Sequence, residues 1–300
     1  MKVDGLIEKL YAPGVKKMIL DTDTFNEEDD QFALSYALLS PDKVDLLSVN
    51  AAPFFNSNST SPEDGMEKSY DEILRIIDLV KPSKRPAVYK GSRRFMRSKN
   101  DPVESPACDN IINTVLGSDE TVYVVTIGAA TNVASAVVKC PEVAEKAVVI
   151  WLGGTAHHVP SAREFNLSGD IFASQVLFDS GVRFVQVPCE GVCTEFVTSL
   201  PEMEHFLAGK NDLAEYLLGK MRRVIGYGTC KIIWDVTAVA CLVKPEALVM
   251  TQIPTPVLTN DHTYAFDYTR HHQIYVRKII RDPLYIDLFN KIAGAGGGLS

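Results

Sequence analysis

The chain has 300 residues, 46% of them hydrophobic and 23% charged, and carries a formal net charge of −8. This composition allows a large buried core and excludes an intrinsically disordered chain, while the negative charge argues against a dedicated nucleic-acid-binding surface. The sequence shows no secretory leader pattern and no apolar run of about 18 residues. Its six cysteines are scattered, so we expect reduced thiols in a cytoplasmic protein.

Strand and helix patterns alternate along most of the chain. Short apolar runs predict strands at residues 16–20, 44–50, 122–127, 147–152 and 184–188. Helical periodicity predicts helices at residues 29–40, 65–80, 130–138 and 169–179. The alternation is typical of βαβ units. We therefore predict an α/β fold with a Rossmann-like open sheet, mainly parallel and with helices on both faces, in a single domain spanning residues 1–300.

The first strand-to-helix junction is strongly acidic. Six acidic residues occur in the ten positions from Asp21 to Asp30, directly after a short apolar run. A solvated helix N-terminus would explain the last of them, but not Asp21 and Asp23, which leave an apolar strand. Carboxylates packed this closely repel one another unless they share a cation, and hard oxygen ligands suit Ca²⁺ or Mg²⁺. We therefore favour a metal site at this edge, where open α/β sheets bind ligands.

Later strand ends offer further polar groups at the same edge of the sheet. The loop at residues 51–62 presents Asn56 as a possible site residue, although its composition is also that of an ordinary loop. The strand at residues 122–127 ends in a glycine turn, which exposes the carbonyl of Ile127, and a carbonyl is a legitimate Ca²⁺ ligand. Thr131 or Asn132 would cap the helix that follows.

The strand at residues 147–152 ends in two glycines, where backbone can approach a ligand closely. Glu164 and Asn166 follow, and in an extended chain both face the same side. They would then offer a carboxylate and an amide to vicinal hydroxyls. His157 is one of two adjacent histidines in between, and it lacks the i, i+4 partner of helical zinc motifs. Two interpretations stay open: a loop residue without a functional role, or a residue that contacts the sugar.

The last strong signal is Trp234-Asp235, at the start of an apolar helical segment. An Asp at this place usually caps its helix. In the alternative interpretation, Asp235 is the distant carboxylate that completes a metal site with Asp23 and Asp30.

Taken in order, these segments resemble the inosine-uridine-type nucleoside hydrolase family over roughly residues 16–245, with weaker similarity to the end. The family begins with a strand and Asp-x-Asp-Pro-Gly-x-Asp-Asp. It continues with Gly-x-Leu-Thr-Asn, Met-Gly-Gly, Glu-Phe-Asn with an Asp four residues on, and His-Asp on a helix. The counterparts stand here in the same order: Asp21-Thr22-Asp23 with Asp29-Asp30, Gly128-Ala129-Ala130-Thr131-Asn132, Leu152-Gly153-Gly154, Glu164-Phe165-Asn166 with Asp170, and Trp234-Asp235.

The resemblance implies a hydrolase that splits a nucleoside into free base and ribose by direct attack of water. Its implied Ca²⁺ ligands are Asp23, Asp30, the Ile127 carbonyl and Asp235. Asp29 is the implied general base, which takes a proton from the Ca²⁺-bound water. The expected substrate-binding residues are Asn56, Leu152, Glu164, Asn166, Trp234 and His157. The resemblance also implies a homodimer or homotetramer that acts in purine salvage, with a small-molecule nucleoside or ribose as its ligand and neither nucleic acid nor membrane as a partner.

The chain departs from the family pattern at three places. Two extra residues replace Pro-Gly between Asp23 and Asp29, so the loop geometry differs and Glu27 or Glu28 would share the metal's environment. Trp234 stands where many members have a His that protonates the leaving base. An indole is no useful acid but stacks on a purine, so a purine substrate is favoured. The Asn that the family has after Gly-Gly is missing, and His157 or His158 is the predicted replacement as a sugar contact.

These departures leave two alternatives open. The first is a non-catalytic relative that binds ribose or a nucleoside, which binding without turnover would indicate. The second is a hydrolase of another N-ribosyl compound, because the pocket loops at residues 53–62 and 222–232 are the divergent parts of the chain.

Overall fold

A computed structural model describes residues 3–296 of the protein. The strands are β1 (Lys16–Thr22), β2 (Val44–Ala51), β3 (Ala87–Lys90), β4 (Val122–Thr126), β5 (Val148–Leu152), β6 (Arg183–Val187), β7 (Val197–Ser199), β8 (Cys230–Ile232), β9 (Leu248–Pro254), β10 (Val257–Leu258), β11 (Tyr264–Ala265) and β12 (His272–Ile279). The helices are α1 (Leu6–Tyr11), α2 (Asp30–Leu38), α3 (Pro62–Val80), α4 (Pro106–Leu116), α5 (Thr131–Lys139), α6 (Glu142–Lys146), α7 (Phe165–Gly169), α8 (Ile171–Asp179), α9 (Leu200–Leu207), α10 (Asp212–Val224), α11 (Val236–Val243) and α12 (Arg281–Ala293).

The main sheet has eight strands in the order β3-β2-β1-β4-β5-β6-β12-β9. Neighbouring strands run parallel from β3 to β12, and β9 pairs antiparallel with β12. The small pairs β7–β8 and β10–β11 lie outside this sheet. Because β1, β4, β5 and β6 are parallel neighbours, their carboxyl ends meet at one edge. The predicted α/β fold with a mainly parallel sheet is confirmed.

Helices cover both faces of the sheet because each strand alternates its side chains between two cores. Met18 and Leu20 of β1 belong to a core that includes residues of α2, α3, α11 and α12. Ile19, between them, belongs to a second core with residues of α4, α5 and α8. Strands buried on both faces need continuous apolar runs, which is why short apolar runs located them in the sequence.

The five strands and four helices predicted from the sequence are present, with ends that differ by a few residues. Two local expectations are wrong. The chain after Glu164 is not extended, because it turns at once into α7 and Glu164 occupies the N-cap position of that helix. Ala130 occupies the N-cap position of α5, because Thr131 and Asn132 direct their side chains to carboxylates elsewhere.

The Asn132 side chain binds Asp21. This buried residue of β1 accepts hydrogen bonds from Asn132 Nδ2 at 2.9 Å and from the Thr126 hydroxyl at 3.3 Å, so it ties β1 to β4 and α5.

All six cysteines are free, as their scattered spacing predicted. Among residues 3–296, none of the helices has both the length and the apolar character needed to cross a bilayer.

Candidate active site

A cavity of about 250 Å³ opens at the carboxyl edge of the sheet. Residues that follow β1, β4, β5 and β6 form its wall, at the place where parallel α/β sheets bind ligands. The structure brings most of the predicted site residues together here. Those that line the cavity are Asp29, Asp30, Ile127, Leu152, Glu164, Asn166, Trp234 and Asp235.

Three aspartates converge in this cavity. Asp29, Asp30 and Asp235 each present one carboxylate oxygen, and these three oxygens lie within 4.8 Å of one another. All three residues are buried, with 5% exposure or less. Because Asp30 begins α2 and Asp235 precedes α11, residues distant in sequence meet at one point. Such a group of hard oxygen donors can hold a divalent cation.

The first turns of α2 and α11 direct these carboxylates into the cavity instead of onto their own helices. Asp29 and Asp235 occupy N-cap positions, yet neither side chain accepts a capping hydrogen bond. The Asp235 backbone N–H points at Asp29 Oδ2 from 3.4 Å, and the Thr22 hydroxyl donates to Asp30 Oδ1 at 2.5 Å. The capping interpretation of Asp235 is therefore wrong, because its carboxylate is turned toward the other aspartates.

Asp23 adds a fourth carboxylate, and burial, followed by the charges of Asp30 and Asp29, raises its pKa well above the usual range. Both of its oxygens are buried, and neither has a hydrogen-bond partner within the described part of the chain. An ionised carboxylate in this state is unfavourable unless a cation neutralises it. The turn beside it accepts only glycine, since a Cβ on Gly128 would lie 2.8 Å from Asp23 Oδ1. The residues present therefore fit a metal ion.

Burial and mutual repulsion raise the pKa of these carboxyl groups. Burial, and then the charge of Glu27, raises the pKa of Asp29 to about 8. Burial raises the pKa of Asp30 to about 6. The pKa of Asp235 lies well above its usual range, because of burial and then the charges of Asp29 and Asp30. The metal-free cluster thus retains protons near neutral pH, and a bound cation would displace them.

Glu164 and Asn166 form a fixed polar part of the cavity wall. Glu164 accepts hydrogen bonds from three backbone N–H groups at 2.8–3.1 Å, so its carboxylate is held in one orientation. Asn166 Nδ2 donates to the carbonyl of Ile127 at 3.0 Å and to that of Leu152 at 3.1 Å. A carbonyl oxygen has two lone pairs, so the Ile127 oxygen can still accept a second partner.

Several residues of the cavity wall were not predicted: Asn26, Arg163, Phe165, Cys189 and Glu190. Most of them adjoin residues that the motifs did single out, and Phe165, 39% exposed, lies inside Glu-Phe-Asn itself. Cys189 and Glu190 follow β6, so the position after a parallel strand was the available signal for them. Glu27 of the longer first loop also lines the cavity and forms an ion pair with Lys231 of β8.

Two predicted substrate contacts do not line the cavity. The His157 ring packs between Tyr264 and Tyr275, with centroids 4.6 and 4.4 Å away, and burial lowers its pKa to about 4. This neutral imidazole belongs to an aromatic cluster, and the structure does not bring it to the sugar site. Asn56 donates to Asn26 Oδ1 at 2.6 Å, so it reaches the cavity only through Asn26.

The parallel sheet, the cavity at its carboxyl edge and the aspartate cluster are those of an α/β protein whose carboxylates can hold a divalent cation. The inosine-uridine preferring nucleoside hydrolase family matches residues 18–276 of the chain. The protein belongs to this family and is an N-glycosyl hydrolase. The family resemblance noted in the sequence is confirmed.

The chain is also similar to individual proteins of known sequence or structure. The pyrimidine-specific ribonucleoside hydrolase RihB of Escherichia coli is 25% identical over 255 residues, which cover 78% of this chain and 80% of RihB. An uncharacterized protein of Schizosaccharomyces pombe is 27% identical over 204 residues, 58% of this chain and 61% of its own length. The purine-preferring ribonucleoside hydrolase from Gardnerella vaginalis shares the fold, with a TM-score of 0.76 at 21% identity, over 93% of this chain and 99% of its own.

Proposed function

We propose that this protein is a Ca²⁺-dependent ribonucleoside N-glycosidase that prefers purine nucleosides. The observation that carries the proposal is the buried carboxylate group. Asp29, Asp30 and Asp235 converge within 4.8 Å, and Asp23 presents two oxygens that lack a partner in residues 3–296. Membership of a nucleoside hydrolase family supplies the class of reaction.

The chemistry of the donors favours calcium over a transition metal. The proposed ligands are Asp23, Asp30, Asp235 and the Ile127 carbonyl, all of them hard oxygen donors, and the carboxylate group found in the described residues includes neither His nor Cys. When bound, a divalent cation lowers the pKa of a coordinated water and orients the vicinal hydroxyls of ribose. This chemistry requires ionised carboxylates at the three aspartate ligands and at Asp29, and a bound cation itself favours that ionisation.

Asp29 is the proposed general base. Its carboxylate lies in the cavity beside Asp235 and makes no capping bond, so it is free to accept a proton from the attacking water. Glu164 and Asn166, held rigidly in the wall, are proposed to bind ribose hydroxyls. Cleavage of an N-glycosidic bond passes through an oxocarbenium-like state, and contacts that tighten as the ring flattens lower its energy.

The proposed purine preference rests on Trp234. Trp234 lines the cavity, and an indole can stack on a purine, the larger base, over more area than on a pyrimidine. Phe165 adds a second aromatic face to the wall. The names of the relatives point both ways, since RihB is called pyrimidine-specific and the Gardnerella enzyme purine-preferring. The aromatic wall of this chain is the reason for our choice.

Release of reducing sugar from inosine, guanosine, adenosine, uridine and cytidine tests the proposal. The purified protein is treated with chelator and assayed with and without added Ca²⁺. We expect hydrolysis that depends on Ca²⁺, with a higher kcat/KM for the purine nucleosides. No release from any of the five with Ca²⁺ present would overturn the proposal, and a higher kcat/KM for uridine would overturn the purine preference alone.

A non-catalytic relative that binds ribose or nucleosides is the second proposal, and the cavity wall supports it. The lining residues include no His, so the described part of the cavity lacks the usual acid for the leaving base. Calorimetric titration with inosine and ribose separates the two, because binding without turnover supports only the second. Turnover of another N-ribosyl compound, but not of these nucleosides, would support the hydrolase with a different substrate.

We further propose, from the family resemblance, a cytoplasmic homodimer or homotetramer that acts in purine salvage. Sedimentation velocity at micromolar concentration tests the assembly. A single species at the mass of one 33.0 kDa chain would contradict it.

A further inference from the structure

Glu72 of α3 is a buried carboxylate that lies outside the active-site cavity. Only 3% of its side chain is exposed, and four side chains contact it: Gln31 Nε2 at 3.3 Å, the Tyr216 hydroxyl at 2.6 Å, Lys220 Nζ at 2.9 Å and Arg75 Nε at 3.5 Å. These partners stand on α2, α3 and α10. A buried charge persists only when it is paired and hydrogen-bonded. Glu72 is therefore a junction between three helices.

Gln31 connects this junction to the loop that carries the site aspartates. Its Nε2 donates to Glu72 and also to the Thr24 carbonyl, the latter at 2.7 Å. Thr24 begins the loop, and Gln31 follows Asp30 in the first turn of α2. The Gln31 side-chain amide therefore connects the two ends of the loop to each other and holds the loop against α3.

Phe25 fastens the same loop at a second point. Its backbone N–H donates to Ser69 Oγ of α3 at 3.3 Å, and its ring lies 5.5 Å from Lys220 Nζ, the ammonium that pairs with Glu72. Phe25, Glu72 and Lys220 line a separate cavity of about 390 Å³. Because Asn26 and its neighbours line the active-site cavity, the loop is a wall between the two cavities.

We propose that Glu72 is a positioning residue that sets the places of Asp29 and Asp30 in the metal centre. It touches neither aspartate and acts through Gln31 and Lys220. The inference rests on the proposed function and deepens it, because a longer first loop needs an anchor if its carboxylates are to converge on Asp235. Groups that orient ligands from behind affect metal affinity even though they do not touch the metal.

Calcium binding by calorimetry, without substrate, tests the proposal in the Glu72→Gln variant. Gln keeps the size of the side chain but removes the charge that holds Lys220, so the loop loosens. We expect the Kd for Ca²⁺ to rise by about 10-fold, with a fall in kcat. The matched control is Glu67→Gln on the same helix. Glu67 is 37% exposed and pairs with Lys90 away from the loop, so its loss should leave the Kd unchanged.

A merely structural role predicts a different result. In that case E72Q lowers the unfolding temperature, but well below that temperature the folded protein binds Ca²⁺ with the wild-type Kd, and this outcome overturns the proposal. If E72Q does not fold, Tyr216→Phe removes a single hydroxyl from Glu72, and an unchanged Kd in that variant overturns it equally. Wild-type protein that binds no Ca²⁺ would instead refute the proposed function, and this inference with it.

Discussion

The Asp235→Asn substitution should stabilise the metal-free protein while it abolishes metal binding. Asn has nearly the shape of Asp, so α11 keeps its place, but one negative charge leaves a site where the carboxylate oxygens of Asp29 and Asp30 lie within 4.8 Å. Two unit charges at that distance repel by about 3.5 kcal/mol at an effective dielectric constant of about 20. The wild-type chain bears this repulsion when no cation is present and the carboxylates are ionised.

Proton uptake already relieves part of the repulsion, which limits the gain. Burial and the neighbouring charges raise the pKa of both Asp29 and Asp235, so near pH 8 each carboxyl group carries its negative charge only part of the time. We therefore expect the free energy of unfolding of D235N to exceed that of the wild type by about 2 kcal/mol at pH 8 in chelator. For a chain of this length, that corresponds to a rise in Tm of about 4 °C.

Thermal unfolding followed by circular dichroism, in EDTA and then in Ca²⁺, measures this difference. With Ca²⁺ the wild type should gain stability through binding, whereas D235N should gain little and lose at least about 100-fold in kcat. Asp119→Asn, at an exposed turn, is the control for loss of one negative charge. A D235N variant that is less stable than the wild type in EDTA would refute the repulsion argument. Wild-type kcat in D235N would remove Asp235 from the metal centre.

Three further predictions concern the same site. The folded-state pKa values of Asp29 and Asp30, about 8 and about 6, lie above the unfolded value of about 3.9. The folded metal-free chain thus holds protons that the unfolded chain releases, so its stability should fall as pH rises from about 4 to about 8, which urea unfolding in EDTA at pH 5 and pH 8 measures. Asp29→Asn should lower kcat by about 10²–10⁴-fold. Calorimetry should show that this variant loses less Ca²⁺ affinity than D235N does. An unchanged kcat would exclude Asp29 as the base. Trp234→Leu should raise the KM for inosine by about 5-fold through lost stacking, and it should raise the KM for uridine less. Equal changes in the two KM values would argue against stacking of a purine on Trp234.

The sequence located the fold and the aspartates because both depend on local pattern. The strands are buried on both faces and read as apolar runs, and Asp21 and Asp23 are acidic residues that emerge from such a run. Asp235 was ambiguous, since an Asp before an apolar helix is an ordinary cap. Only the structure shows that its carboxylate makes no capping bond and faces Asp29 and Asp30.

Contacts between distant segments could not be predicted in this way. The position of His157 after β5 suggested a sugar contact, but Tyr264 and Tyr275, more than 100 residues further along the chain, hold its ring in an aromatic cluster. The four side chains around Glu72 likewise come from three helices, and only Arg75, three residues further along the same helix, is related to Glu72 by a spacing in the sequence. A residue whose role depends on contacts with distant segments shows no recognisable pattern in the sequence around it.

The longer first loop keeps its carboxylates in place because the residues of the additional chain have contacts outside the aspartate cluster. The Asn26 backbone N–H donates to the Asp23 carbonyl at 2.7 Å, so the chain turns sharply just after Asp23. Phe25 packs toward α10, and Glu27 pairs with Lys231 of β8. The loop then returns to α2, where Asp29 meets Asp235. An insertion between two proposed metal-binding positions is compatible with the site when its residues find partners of their own, as Phe25, Asn26 and Glu27 do here.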